Sequence, residues 1–94
     1  MTETHDERIP GRHAQVAARS VEGQEIILYA DTGDINVLND VGTRIWELID
    51  GKRSVDDIVA VIIEEYAVTR ETAVRDVSEF LQDLVRREAI VFSA

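Results

Sequence analysis

The 94-residue chain contains no cysteine, which excludes disulfides, thiolate catalysis and iron–sulfur clusters. Any redox chemistry around it must belong to a partner, and the absence fits a reducing compartment. No stretch approaches the roughly 20 apolar residues of a membrane span. The acidic opening Thr2-Glu3-Thr4-His5-Asp6-Glu7 lacks the basic and apolar regions of a secretion signal. These features predict a soluble, cytoplasmic protein with no membrane partner. Positive charge is also scarce. Ten Lys and Arg against 19 Asp and Glu leave a net charge of −9, and repulsion from a phosphate backbone opposes nucleic acid as a partner.

Histidine occurs only as His5 and His13, near the N-terminus, so the predicted folded body has no imidazole to serve as a base. Ser20, Ser54, Ser78 and Ser93 have no glycine elbow around them, and no phosphate-binding glycine loop is present. The densest acidic sets, Asp56-Asp57, Glu64-Glu65, Asp76 and Glu79, fall on the polar sides of predicted amphipathic helices and read as solvated faces. The sequence therefore predicts no enzyme activity, no metal site and no cofactor.

What is present is enough for one core. Forty-five per cent of the residues are apolar, and a chain of this size buries roughly 60–65% of its unfolded surface. The organising stretch is Leu38 to Ser54, where the pattern changes from strand to helix. Asn39 is placed to cap a helix over about 40–50, with Val41, Ile45, Leu48 and Ile49 on one face and Gly51 as its left-handed stop.

Upstream, residues 1–12 carry Pro10, Gly11 and little apolar periodicity, and read as a flexible N-terminal tail before a domain at 13–94. His13 to Val21 alternates weakly as a first strand, and Glu22-Gly23 is a turn. Gln24 to Ala30, with Ile26, Ile27, Leu28 and Tyr29, is the central strand. Asp31-Thr32-Gly33 returns the chain into Asp34–Leu38.

Downstream, Ser54 and Asp57 have capping-box spacing, so a second helix starts near Val55 with Ile58, Val59, Ile62 and Tyr66 as its apolar stripe. Ala67-Val68-Thr69 breaks it. Thr69 caps a third helix over about 70–88, striped by Ala73, Val74, Val77, Phe80, Leu81, Leu84 and Val85. Ile90-Val91-Phe92 reads as a short extended end that packs on the sheet. The sum is an α+β, winged-helix-like arrangement: a three-stranded antiparallel sheet followed by a three-helix bundle.

The ordered series Leu38-Asn39, Gly42, Ile45-Trp46, Asp50-Gly51 and Ser54-Val55-Asp56-Asp57-Ile58 resembles PqqD-like proteins over about residues 15–92. These are small domains that recognise leader peptides in pathways modifying ribosomally made peptides. Trp46 makes the chain look more like the leader-binding subunits of lasso-peptide systems, which work with a leader peptidase, than like those serving radical-SAM maturation. Read from its own spacing, Trp46 fits the core with its indole N–H on a carbonyl, a groove-lining role being the alternative.

The residues themselves point to the same kind of site. Asp34–Leu38 has no lysine, proline or bulge to blunt it as an outer strand, so an extended peptide can add alongside it. The resemblance implies a leader peptide paired with Asp34, Ile35, Asn36, Val37 and Leu38, in a cleft against the third helix. That helix face is drawn from Val74, Arg75, Val77, Ser78, Leu81 and Gln82, and periodicity leaves open whether Val77 or Leu81 lines the cleft.

The expected function is non-catalytic: capture of a precursor peptide by strand addition and delivery to a leader peptidase or other maturation enzyme. Two rivals remain at this level. A winged-helix DNA-binding regulator needs a basic recognition helix, whereas the third helix balances its arginines with acids. An edge-strand module forming a homodimer pairs the same strand with its own copy.

Overall fold

In the computed structural model, which describes residues 6–93, each helix opens on a side-chain cap. Asn39 Oδ1 accepts the Gly42 N–H at 2.8 Å to start α1 (Asp40–Leu48). At α2 (Val55–Tyr66) the Asp57 N–H donates to Ser54 Oγ at 3.1 Å, and the Ser54 N–H donates back to the Asp57 carboxylate at 3.0 Å. Thr69 Oγ1 accepts the Thr72 N–H at 3.2 Å to start α3 (Arg70–Arg86). All three starts fall where the cap residues place them.

The ends differ from expectation. α1 stops at Ile49, whose N–H bonds the Trp46 carbonyl, rather than at Gly51. Gly51, at φ +77°, instead belongs to the turn that follows. There the Asp50 carboxylate accepts the N–H groups of Lys52 and Arg53, both at 2.9 Å, and those bonds hold its pKa below the ordinary carboxylate range. α3 ends at Arg86, two residues short of the expected stop.

The first ordered strand, β1 (Ile9–Arg12), lies in the segment read as a tail, and it pairs antiparallel with β5 (Ile90–Ser93). The tail expectation is therefore corrected for residues 9–12, while residues 1–5 lie outside the described residues. The end at 90–92 likewise pairs with β1 instead of packing on the larger sheet.

This strap bonds on both sides. Toward β5, the His13 N–H reaches the Ala89 carbonyl at 2.8 Å. On the other side, the carbonyls of Asp6, Arg8 and Pro10 accept from Asp56, Val55 and Gly51, so two free N–H groups at the start of α2 find partners in the strap. In an antiparallel ladder alternate residues face the partner strand, and Pro10 occupies a position facing away, where its missing N–H costs nothing.

The meander follows as β2 (Val16–Val21), β3 (Gln24–Tyr29) and β4 (Ile35–Val37), in the order β2-β3-β4 with β3 central. Ile26 stands opposite Val37, Ile27 opposite Asn36 and Leu28 opposite Ile35. Ile27 and Tyr29 turn toward the helices and are buried with Leu38, Ile45, Trp46, Ile49, Ile58, Val59, Ile62, Val77, Leu81 and Leu84. Tyr66 and Val85, assigned to apolar stripes by spacing, lie at the margin and are exposed. Among the described residues no helix is long and apolar enough to cross a membrane.

Trp46 belongs to the core, only 1% exposed, but the expected indole-to-carbonyl bond does not form. Nε1 has no hydrogen-bond partner among the described residues. The ring is covered by Arg12, whose guanidinium carbon lies 4.5 Å from the ring centre and whose Nη2 donates to the Trp46 carbonyl at 2.8 Å.

The strap carries a second such contact. Arg8 lies 4.1 Å over Phe92 and forms a forked pair with Asp6, at 2.9 and 2.7 Å. The side-chain bonds from Arg8 hold the Asp6 carboxyl below its usual range. A depressed carboxylate pKa stabilises the fold above the unfolded value and loses that contribution as pH falls through the folded one. Arg8→Met should therefore lower the melting temperature at pH 7 by a few degrees, in keeping with about 0.2–1 kcal/mol for a largely solvated pair. The gap from wild type should shrink as pH drops below about 4. Thermal unfolding at both pH values checks this, and a gap independent of pH would assign the loss to ring packing alone.

Candidate functional site

Among the described residues β4 borders one strand, β3, so half of its backbone groups face outward. The Leu38 N–H donates to the Glu25 carbonyl at 2.9 Å, and the Asp34 carbonyl accepts from Tyr29 at 3.0 Å. Alternation then turns the backbone of Asn36 toward β3 and that of Ile35 and Val37 toward the open edge. Two N–H and two C=O groups are thus free for an added strand. The side chains of Ile35 and Val37 are 61% and 57% exposed, whereas Asn36 turns inward with its amide 3.4 Å from the Tyr29 hydroxyl.

Two shallow depressions bracket this edge. One, of about 410 Å³, lies at the start of α1, where Asn39, Val41, Gly42 and Ile45 face Asp76, Glu79 and Phe80 of α3. The other, of about 230 Å³, opens between Tyr29 and Asp34 on one side and Arg86 and Arg87 on the other. From Asp34 to Asn39 an extended chain spans about 17 Å, and from Asp76 to Arg86 a helix rises about 15 Å. α3 therefore runs beside β4 in the opposite direction, over the length of about five extended residues. Asp76, Phe80, Asp83 and Arg87 share that flank at three- and four-residue spacing.

Gly42 sets how closely the wall approaches. A Cβ there would stand 3.1 Å from both Phe80 Cε1 and Asn39 Oδ1. The bare backbone lets the Phe80 ring close on the capped end of α1.

The expected strand positions are brought together: Asp34, Ile35, Asn36 and Val37 lie along the edge, and Leu38 closes into the core. The expected helix positions are not. Val77 and Leu81 are both buried, and Val74 packs half-buried against the core. Arg75 is exposed and pairs with Asp76 at 3.5 Å. Ser78, Leu81 and Gln82 line a different cavity, of about 340 Å³, with Asp6, Arg8, Val55 and Phe92. None of Val74, Arg75, Ser78 and Gln82 lines either depression beside β4; on α3 that flank is formed by Asp76, Glu79 and Phe80 at one end and Arg86 at the other. The one sequence signal for that flank is Gly42, a helix-interior glycine that needs a close neighbour.

The arginines of α3 are engaged with carboxylates: Arg70 with Asp56, Arg75 with Asp76, and Arg86 and Arg87 with Asp83. Such a helix offers no net positive surface to a phosphate backbone. Arg44 bridges Glu47 and Glu65, and its bond holds the Glu65 carboxyl below the usual range.

Among solved structures the chain is similar to TbiB1 in complex with the TbiA(beta) leader peptide, with 31% identity and a TM-score of 0.82, covering 89% of this chain and 98% of that one. It also shares its fold with a lasso peptide synthetase B1 complexed with the leader peptide, at 20% identity and a TM-score of 0.80, covering 87% of this chain and 96% of that one. No curated protein sequence matches it. The family model described as coenzyme PQQ synthesis protein D (PqqD) matches residues 24–90, the span from β3 through α3 to the start of β5, and the chain belongs to that family.

Proposed function

We propose that this protein is a non-catalytic carrier for a leader peptide. It takes the N-terminal part of a ribosomally made precursor as an added strand on β4 and delivers it, in the cytoplasm, to a leader peptidase of the lasso-peptide type. The observation that carries the reading is the open edge of Ile35 and Val37 running beside α3 at the length of a short extended peptide. The TbiB1 complex with a leader peptide, similar over most of both chains, supports it.

The energetics require both walls. Four main-chain bonds contribute roughly 0.5–1.5 kcal/mol each, and ordering a flexible peptide costs about 2–5 kcal/mol. The balance is near zero until apolar contact is added. Phe80, with Val41 and Ile45 behind it, supplies the apolar part of the wall at the Asn39 end, and Asp76 and Glu79 form a carboxylate rim above it. Once bound, the peptide gains in processing rate through the high local concentration it has at the enzyme.

Titrating the isotope-labelled protein with the leader segment of its precursor should shift the amide signals of Ile35, Asn36 and Val37 together with those of Asp76, Glu79 and Phe80. Phe80→Ala should weaken the leader about tenfold or more, as loss of a central aromatic anchor does. Shifts confined to Ser78, Gln82 and Phe92 would move the site to the other flank of α3, and no shifts at saturating peptide would remove the function.

A further inference from the structure

The two depressions that bracket β4 share one sign of charge. Asp76 and Glu79 line the one at the Asn39 end, and Asp31, Asp34 and Glu88 line the other. The cations that line them are Arg86 and Arg87, and a further carboxylate, Asp83, holds both, at 3.2 and 3.0 Å. The groove beside the open edge is therefore anionic at both ends, in a chain whose net charge is −9.

At the Asn39 end the carboxylates stand next to the apolar wall made by Phe80, Val41 and Ile45. Asp76 has Arg75 at 3.5 Å, a long contact on the solvent side. Glu79 is exposed and has no ion-pair partner among the described residues. From Asp76 to Phe80 the helix rises about 6 Å, and side chains two positions apart on an extended strand lie about 6.8 Å apart on the same side. When one side chain of the added strand packs on Phe80, the next on that side, toward Asn39, comes level with Asp76 and Glu79. A lysine or arginine suits that place, since its stem can lie along the apolar surface while its head reaches the carboxylates. An acidic side chain there meets two like charges.

We propose that the groove selects its leader by charge: the peptide it takes carries a lysine or arginine two positions from the apolar residue seated on Phe80, and Glu79 is the residue that recognises it. The inference rests on the leader-binding reading above and adds to it the chemistry of the peptide. Because these carboxylates are solvated, the selection acts chiefly on the rate of association, which opposite charges raise. Salt removes it, as the screening length falls from about 8 Å at physiological ionic strength to about 3 Å at 1 M.

The probes are the leader segment of the precursor and a synthetic variant of it in which that basic residue is glutamate. Stopped-flow fluorescence gives association rates and anisotropy gives affinities, each at low salt and at about 1 M. Wild type at low salt should bind the glutamate variant about fivefold or more weakly than the native leader, mostly through slower association, and the difference should fall below about twofold at high salt. Glu79→Lys should bind the native leader about threefold or more weakly and recover part of the loss with the glutamate variant, a reciprocal effect that a structural role for Glu79 would not produce. Its melting temperature should stay within about 2 °C of wild type, since the side chain is solvated. A native leader with no basic residue at that spacing, a wild-type affinity indifferent to the peptide's charge at low salt, or a Glu79→Lys variant that shows no preference reversal overturns the proposal and leaves strand addition on β4 standing. A native leader that fails to bind wild type at either salt concentration sinks the carrier reading itself.

Discussion

Val37→Pro is expected to lower leader-peptide affinity by roughly tenfold or more while leaving the fold in place. The Val37 N–H faces the open edge, so proline removes a donor that the isolated protein does not use. The bound state loses one main-chain bond, about 0.5–1.5 kcal/mol, and the pyrrolidine ring projects where the incoming strand must lie. Together these exceed the roughly 1.4 kcal/mol of a tenfold change. Asn36, the residue before, is extended and compatible with a following proline. The control is Asn36→Pro, whose lost N–H faces β3 and leaves the buried Ile27 without its ladder partner. That variant should lower the melting temperature by roughly 5–20 °C, from about 1–3 kcal/mol for an unpaired buried group. Calorimetric titration with leader peptide and thermal unfolding of both proteins decide the matter. Equal melting losses would reverse the assigned facing of the two residues.

The largest loss of stability is expected from Trp46→Ala. The ring is buried under Arg12 and among Ile45, Ile49 and their neighbours. Truncating a core tryptophan costs about 3–5 kcal/mol, which in a domain of this size corresponds to a melting temperature lower by about 12 °C or more. Trp46→Phe should cost much less, since it retains most of the apolar ring and discards an N–H that has no partner among the described residues. Urea unfolding of the two variants gives the comparison. If the phenylalanine variant is as unstable as the alanine one, the indole N–H has an important partner in solution.

Both expectations use features that were unequally legible in the sequence. The helix starts were plain, because Asn39, Ser54 and Thr69 each act on the N–H group three residues on. The meander was plain too, its turns lying at Glu22-Gly23 and Asp31-Thr32-Gly33. The strap was not. Ile9-Pro10-Gly11-Arg12 has two residues that disfavour strands, and its partner lies about eighty positions downstream, beyond the reach of local pattern. The helix wall is hard to read for a different reason. The α3 stripe has two flanks that look alike in periodicity, one toward Ser78 and Gln82 and one toward Asp76 and Phe80. Only the packing of α1 against β3 decides which flank accompanies β4. The edge strand itself could be read directly, since its sequence lacks the devices that close an edge.

The pairing of β1 with β5 also sets how the unit can be wired into other polypeptides. Ile9 and Ser93 stand opposite each other across one ladder, a few ångströms apart, while Asp6 and Arg8 run on along the start of α2, bonded to Asp56 and Val55. A host enzyme could accept the whole unit within a surface loop, because Asp6 lies only about 10 Å of extended chain beyond the Ile9–Ser93 pair.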